Sequence, residues 1–525
     1  MKTRKLDAQK RARAGRLKVL ALALALVAAS PLVSAQKIPA SSRPRYGGAA
    51  TIVWTEPMAV ANPPQSSLPS ERAFSSLIFE PLLQWTGKGP RALLAESWAA
   101  NEDSTEWTIR LKRGVRFHNG KVLTGDDVVY SIRRVLDSTS PCSCGWLLQK
   151  LLAVTTVDGA VVFSFSEPQP DLPGLLSCPG LAILPFSASK YEPDSGPLVG
   201  LTVGTGPFRA EWAAPPTRFE LKADRDHHLG RPFLDAVSWT FAPFDEGLVE
   251  FQAGSCVLLA GIPSPLAGGL TSLPAGTKRL VGESSYLIYL GCNPTRAVLR
   301  TPKSRRTVLG AVDRSSILTS IVGKGGRIAH GLVESGEAHS YWDAAPGLHE
   351  GSGAGGDRNP DLPGNSQPGP NSAGVGSREI TLLVPSWHSL IEEIGERIQV
   401  DLMEAGYSVK LRKAGREELR AKLASGDFDL FVGLWAPDPW SDRREWLIND
   451  FRVSQVAPVP ALASAVPSVD RLPAGGLEEA LALESLLLPL FDMDLVVYLR
   501  DSLVSVETAG AIPDLGWSWL RAGPR

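Results

Sequence analysis

The densest group of chemistry-bearing side chains is Val115–Leu136, "VRFHNGKVLTGDDVVYSIRRVL", which places His118, Asp126, Asp127, Tyr130 and Ser131 in one short stretch. A histidine, a carboxylate and a serine are the parts of a nucleophilic hydrolase, in which the imidazole takes the hydroxyl proton and the carboxylate orients the imidazole. The local pattern gives each residue a structural task instead. Asn119-Gly120 lies between two short extended runs and readily takes the positive φ angles of a tight hairpin. Thr124 and Asp127 fit a variant capping box, with the threonine accepting from free amides and the carboxylate near the positive helix end. Val128, Ile132, Val135 and Leu136 then recur at helical spacing as a core face. The stretch reads as architecture, with no catalytic residue assigned. There is no G-x-S-x-G turn, H-E-x-x-H helix or P-loop elsewhere, so an exported hydrolase is the weaker alternative.

Metal-ligating types are scattered. Of seven histidines only His227 and His228 are adjacent, and neighbours along a chain rarely point at one ion; His330, His339 and His349 are more loosely spaced. No metal site or cofactor is assigned, and a metal-chelate binder stands as an alternative. Among five cysteines, Cys142 and Cys144 form a C-x-C with Cys178 downstream. Without a second pair that spacing favours one disulfide from Cys178 to either of them over zinc. Cys256 and Cys292 read as buried free thiols.

The elements that would carry a site are clearest between Glu379 and Trp435. "EITLLVP", "SLIEEIGERIQVDLMEA", "YSVKLR", "REELRAKLAS" and "FDLFVGLW" alternate strand and helix without a break. In the first helix Ser389 and Glu392 form a capping box and Ile391, Ile394, Ile398 and Leu402 the buried stripe; Gly406 and Gly426 supply the two stops. This β-α-β-α-β unit predicts parallel strands with right-handed crossovers. Ligands collect at the carboxyl ends of such strands. Two loops lie there, "PSWHS" (Pro385–Ser389) and "APDPWSD" (Ala436–Asp442). Nearer the amino terminus, "AATIVWTE" predicts a buried strand, "ERAFSSLIFEPLLQW" a helix, and "TEWTIRLK" a half-exposed strand with Trp107, Ile109 and Leu111 on one side.

The whole chain has 525 residues, 43% of them apolar, and a formal net charge of −1. That is enough for more than one core and lacks the basic footprint of a nucleic-acid binder. Residues 1–35 combine basic residues with the short apolar run "VLALALALVAA" and the small-residue site Val33–Ala35, the pattern of a cleaved signal peptide. No cysteine follows that site for lipid attachment, so a soluble periplasmic protein starting at Gln36 is expected. Gly351–Ser377 holds 12 Gly and Pro in 27 residues and reads as a flexible insertion.

Five motifs taken together resemble the family 5 extracellular solute-binding proteins of peptide and nickel ABC importers. They are "LIFEPLLQW", "LLAESWAANEDSTEWTIRLKRGVRFHNGKVLTGDDVVYSIRRVL", "VGTGPFRAEWAAPPTRFELKADRDHHLGRPFLDAV", "SRRTVLGAVDRSSILTSIVGKGG" and the β-α-β-α-β unit, in the family's order. The resemblance implies an α/β, two-lobed, periplasmic-binding-protein-like (type II) fold. Lobe I would span 36–285 with an extra subdomain, lobe II 286–489 with the insertion at 351–377, and residues 490–525 would return to lobe I. Crossings are expected at Tyr286–Pro294 and Leu486–Leu499. The implied function is capture of a peptide or other small solute by hinge closure, then delivery by a monomer to a membrane permease. In peptide-binding members an aspartate shortly after a strand and its tryptophan holds the ligand ammonium, which here points to Asp438. Trp435 and Trp440 would wall the cleft, Trp387 and His388 stand where dipeptide-binding relatives can present an arginine, and Thr55 ends the first strand. "AGSCV" (Ala253–Val257) and the insertion depart from the family pattern, which keeps a diverged envelope protein with a changed or lost ligand among the alternatives.

Overall fold

Long apolar strands frame the molecule. The principal elements, in chain order, are β1 (Ala49–Trp54), α1 (Pro69–Ile78), β2 (Leu83–Thr86), β3 (Gly89–Ala92), β4 (Ala95–Ala100), β5 (Glu106–Leu111), α2 (Gly125–Leu136), β6 (Leu151–Val157), β7 (Ala160–Phe165), β8 (Phe208–Glu211), β9 (Arg218–Ala223), β10 (Ala236–Phe241), α3 (Phe244–Ala253), β11 (Leu258–Pro263), β12 (Thr277–Cys292), α4 (Pro302–Leu309), β13 (Gly326–Ile328), β14 (Glu379–Pro385), α5 (Ser389–Glu404), β15 (Ser408–Ala414), α6 (Arg416–Ser425), β16 (Leu430–Trp435) and β17 (Leu487–Arg500). The computed structural model describes residues 44–56, 63–66, 68–86, 89–136, 148, 150–186, 203–211, 218–268, 273–331, 379–435, 481–504, 506–509, 512–516 and 518–520. Among them no helix is long and apolar enough to cross a membrane.

An eleven-stranded sheet runs β15-β14-β16-β12-β17-β11-β1-β10-β9-β8, with β13 added onto β17. β1 is apolar on both faces: Ala50, Ile52 and Trp54 enter one core and Val53 another. Such a strand suits a parallel position covered on both sides, and β1 pairs in parallel with β10 and β11. At the other end β14 pairs in parallel with β15 and β16, so the predicted β-α-β-α-β unit is present.

The two halves are joined by β12 and β17, which pair antiparallel from Thr277–Arg500 to Gly291–Leu487. Their neighbours change partway along. β11 flanks β17 only over Leu495–Leu499, whereas β16 flanks β12 only over Leu287–Cys292 and β13 flanks β17 over Phe491–Met493. The ladder shifts register between Gly282 and Ser285 at the level where the neighbours switch. Of the ranges expected for the crossings, Tyr286–Cys292 is part of β12 and Leu487–Leu499 part of β17; the switch lies just before the first range and inside the second.

A separate four-stranded antiparallel sheet, β4-β5-β7-β6, packs against α2. Asn119-Gly120 makes the expected turn, with Gly120 at φ +84° and Arg116 bridged to Val122. Three local expectations are corrected. Helix α1 ends at Ile78 and Leu83–Thr86 is a strand, because Pro81 cannot supply the amide that a continuing helix needs. Leu136 is exposed, lying one residue beyond the buried Val135 on the last turn. Helix α5 has His388 at its N-cap and Ser389 as its first helical residue, so no Ser389–Glu392 capping box forms; Glu392 pairs with Lys413 at 2.6 Å.

Candidate functional site

The strands that run toward the β12–β17 switch end there from both sides. On one side β1 and β11 are parallel, and β11 finishes with Ile262 opposite Val496 and Pro263 opposite Leu495. Thr55 follows β1 at that level: its amide donates to the Ala260 carbonyl at 3.0 Å and its hydroxyl donates to the Gly261 carbonyl. On the other side β16 ends with Trp435 opposite Leu287, which itself lies opposite Asp492. The two sets of strand ends are thus three residues apart along β17, from Leu495 to Asp492, on the order of 10 Å. Carboxyl ends of parallel strands gather at one level, which is where an open α/β sheet takes ligands.

The turn from β14 into α5 contributes Trp387 and His388 on the same side as Trp435. Its entry is fixed by the Ser386 amide donating to the Ala414 carbonyl at 3.0 Å. Trp387 packs partly into the large core, and its indole N–H has no hydrogen-bond partner. His388 is only 6% exposed and neither ring nitrogen has a partner. Burial pushes its imidazole down to about 4, so at neutral pH this turn presents a neutral ring. Trp435 is buried at the end of β16. Asp438 and Trp440 lie outside the described residues, as do His339, His349, Cys142, Cys144 and the 351–377 insertion. Asp492, buried in β17 at the level of the switch, is not singled out by the sequence; one of two acids in "LLLPLFDMDLVVYL", it carries no local signal that it lies at a junction.

The residues of the opening triad are dispersed into structure. His118 Nδ1 accepts from the Gly204 amide at 3.3 Å, which leaves its Nε2–H to donate to the Gly206 carbonyl at 2.9 Å. Ser131 donates to the Asp127 carbonyl at 2.7 Å and accepts from the Leu184 amide at 2.9 Å. Asp127 accepts from the Thr124 amide and hydroxyl, so the hydroxyl is donor to the carboxylate, where an acceptor of helix amides was expected. No hydroxyl–imidazole pair is assembled from these groups.

Two other clusters bear on chemistry. Cys178, Cys256 and Cys292 are buried free thiols, so the expected disulfide does not involve Cys178. Burial pushes the Cys256 and Cys292 thiols up to about 12, well away from thiolate reactivity. His227 and His228, against expectation, do converge: both Nε2 atoms meet the Glu80 carboxylate, at 3.1 Å and 2.8 Å. Burial alone would push Glu80 up, but hydrogen bonds from the two histidines and their charge outweigh it and hold the carboxyl at about 2.

Residues 89–449 match the family model for bacterial extracellular solute-binding proteins, family 5, middle region. The oligopeptide-binding protein AppA of Bacillus subtilis (strain 168) is 23% identical over 338 residues, covering 62% of this chain and 61% of AppA. The probable D,D-dipeptide-binding periplasmic protein DdpA of Escherichia coli (strain K12) is 24% identical over 388 residues, covering 68% of each. In the AppA match the chain therefore spans less than two thirds of its relative's length. The solved structure of AppA in complex with a nonapeptide superposes with a TM-score of 0.71 at 19% identity, covering 91% of this chain and all of that one. The fold is the two-lobed α/β arrangement of type II periplasmic binding proteins.

Proposed function

The chain belongs to the bacterial extracellular solute-binding proteins, family 5, and we propose that it captures a peptide-like solute between its lobes, closes on it, and delivers it to the permease of an ABC importer. The observation that carries this reading is the convergence of β1, β11, β14 and β16 on the β12–β17 switch. Two continuous strands with a register shift can bend without breaking either half's pairing, as a hinge must. On this reading residues 1–35 are removed on export, 36–285 form lobe I with the small antiparallel sheet as its subdomain, 286–489 form lobe II, and 490–525 return to lobe I. The mature protein acts as a periplasmic monomer.

Within the cleft, Asp438 accepts from the ligand ammonium, a charge-assisted hydrogen bond of about 1.5 to 3 kcal/mol. Trp387, Trp435 and Trp440 supply broad apolar surface, Thr55 faces them from the other lobe, and His388 offers neutral hydrogen-bonding groups. The loop after β14 has no cation for a ligand carboxylate, which favours a longer peptide over a free dipeptide. The names of AppA and DdpA support the peptide class. Native mass spectrometry of the protein from Gln36 onward, purified without denaturation, tests the reading. A co-purified peptide that is lost in Asp438→Ala is the expected result. An empty wild-type protein that also gains no thermal stability from a mixed peptide pool would overturn it.

A further inference from the structure

Glu80, His227 and His228 form a second site, remote from the cleft. The two histidines lie in the loop between β9 and β10, and β10 starts beside Ala49, at the amino-terminal end of β1. Thr55 and the lobe junction are at the other end of that strand. Glu80 follows α1, so residues 147 and 148 positions apart are brought onto one carboxylate. We propose that Glu80, His227 and His228 form a binding site for a divalent transition-metal ion of the zinc type, with two imidazole nitrogens and one carboxylate oxygen as its protein ligands.

The donor set is the first argument. One ligand atom from each residue lies within 4.8 Å of the others, so modest adjustment brings three donors around a single ion. Two imidazoles and a carboxylate are borderline ligands that suit zinc and exclude calcium or magnesium, which prefer oxygen alone. Preorganisation is the second. The side chains of His227, His228 and Glu80 are only 1%, 7% and 7% exposed. The loop is braced where Asp224 pairs with Arg209 at 2.8 Å and where the Gly230 amide closes a turn on the His227 carbonyl at 2.8 Å. The Glu80 backbone is anchored by the Ile183 amide at 2.9 Å.

An unsatisfied atom is the third argument. A purely structural cluster would occupy every buried ring nitrogen, yet His228 Nδ1 is buried without a partner. Its Nε2 faces Glu80 at 2.8 Å, so a metal that takes Nε2 leaves the ring proton on Nδ1, where no other group stands against it. At His227 the same placement of the proton displaces the weak 3.3 Å contact from the Leu229 amide to Nδ1. The three residues neutralise the ion in part: a dication against one carboxylate leaves a single positive charge and an open fourth position for water or an external ligand.

The test is a zinc titration of the chelator-stripped protein from Gln36 onward, read by equilibrium dialysis with elemental analysis, with cobalt(II) absorption as the report on coordination number. One zinc per chain is expected, with an intense four-coordinate cobalt spectrum. His228→Ala and Glu80→Gln should each weaken binding roughly ten-fold or more, while His330→Ala, outside the cluster, should not. His228→Ala is the decisive variant: Glu80 keeps its bond to His227, and circular dichroism of the metal-free protein checks that the fold is retained. No stoichiometric zinc, or binding that survives His228→Ala, overturns the site and leaves a hydrogen-bonded clamp. Neither result depends on whether the cleft holds a peptide.

Discussion

Asp127 is fully buried, and both its oxygens are committed: to Lys121 at 2.6 Å, the Phe186 amide at 2.7 Å, and the Thr124 amide and hydroxyl. Removing the carboxylate strands several buried donors, so Asp127→Ala should lower unfolding stability by about 2 to 4 kcal/mol. Urea denaturation measures this; ligand capture by the remaining folded fraction should be unchanged, since the residue is far from the cleft in role. His388 makes a prediction in pH. Its folded value is about 4, against about 6.5 in an unfolded chain. Between those values the unfolded state binds more protons, so stability is complete above about 6.5 and falls as pH drops toward 4, by at most about 3 kcal/mol. In His388→Gln that part of the slope should vanish from a series of denaturation curves at successive pH values.

At the level of elements, the segment from Val203 to Phe208 is seated on the end of α1. The Gly206 amide donates to the Ile78 carbonyl at 2.9 Å, and a Cβ on Gly204 would lie 1.9 Å from that same carbonyl oxygen. Close backbone approach therefore demands glycine there. Gly204→Ala should push the segment off the helix and also release His118, whose ring is held by Gly204 and Gly206. A loss of about 2 kcal/mol or more is expected from overpacking, visible as a lowered melting temperature. Gly120→Ala, with open space around it but φ at +84°, should cost less, about 1 kcal/mol. Comparing the two separates steric exclusion from backbone strain.

For the molecule as a whole, β12 and β17 are the elements that join the two sets of strand ends along one continuous ladder. If they act as the hinge, a captured peptide should lower the radius of gyration in small-angle scattering. It should also slow hydrogen exchange in the loops at the ends of β14 and β16 while leaving the middle of β1, buried on both faces, unchanged. A ligand that binds with no change in either quantity would mean the lobes are already closed.

Much of this was legible before any coordinates. The parallel β-α-β-α-β unit follows from periodicity and glycine stops alone, and the Asn119-Gly120 hairpin and the α2 core face from local chemistry, because each depends on residues a few positions apart. The five motifs in order carried the family. Helix ends were less legible: Pro81 marks where α1 must stop, but the Ser389 capping pattern misled because Glu392 found Lys413 on a neighbouring strand. Contacts across the chain were not legible at all. That the strands before Thr55 and at Trp435 end within a few residues of each other along β17, that His118 ties down Gly204, and that Glu80 meets both His227 and His228 are consequences of strand register and loop placement. Short-range preferences act through local backbone geometry and can be read from the chain, whereas these meetings depend on how separate elements pack, a free-energy balance summed over the entire fold.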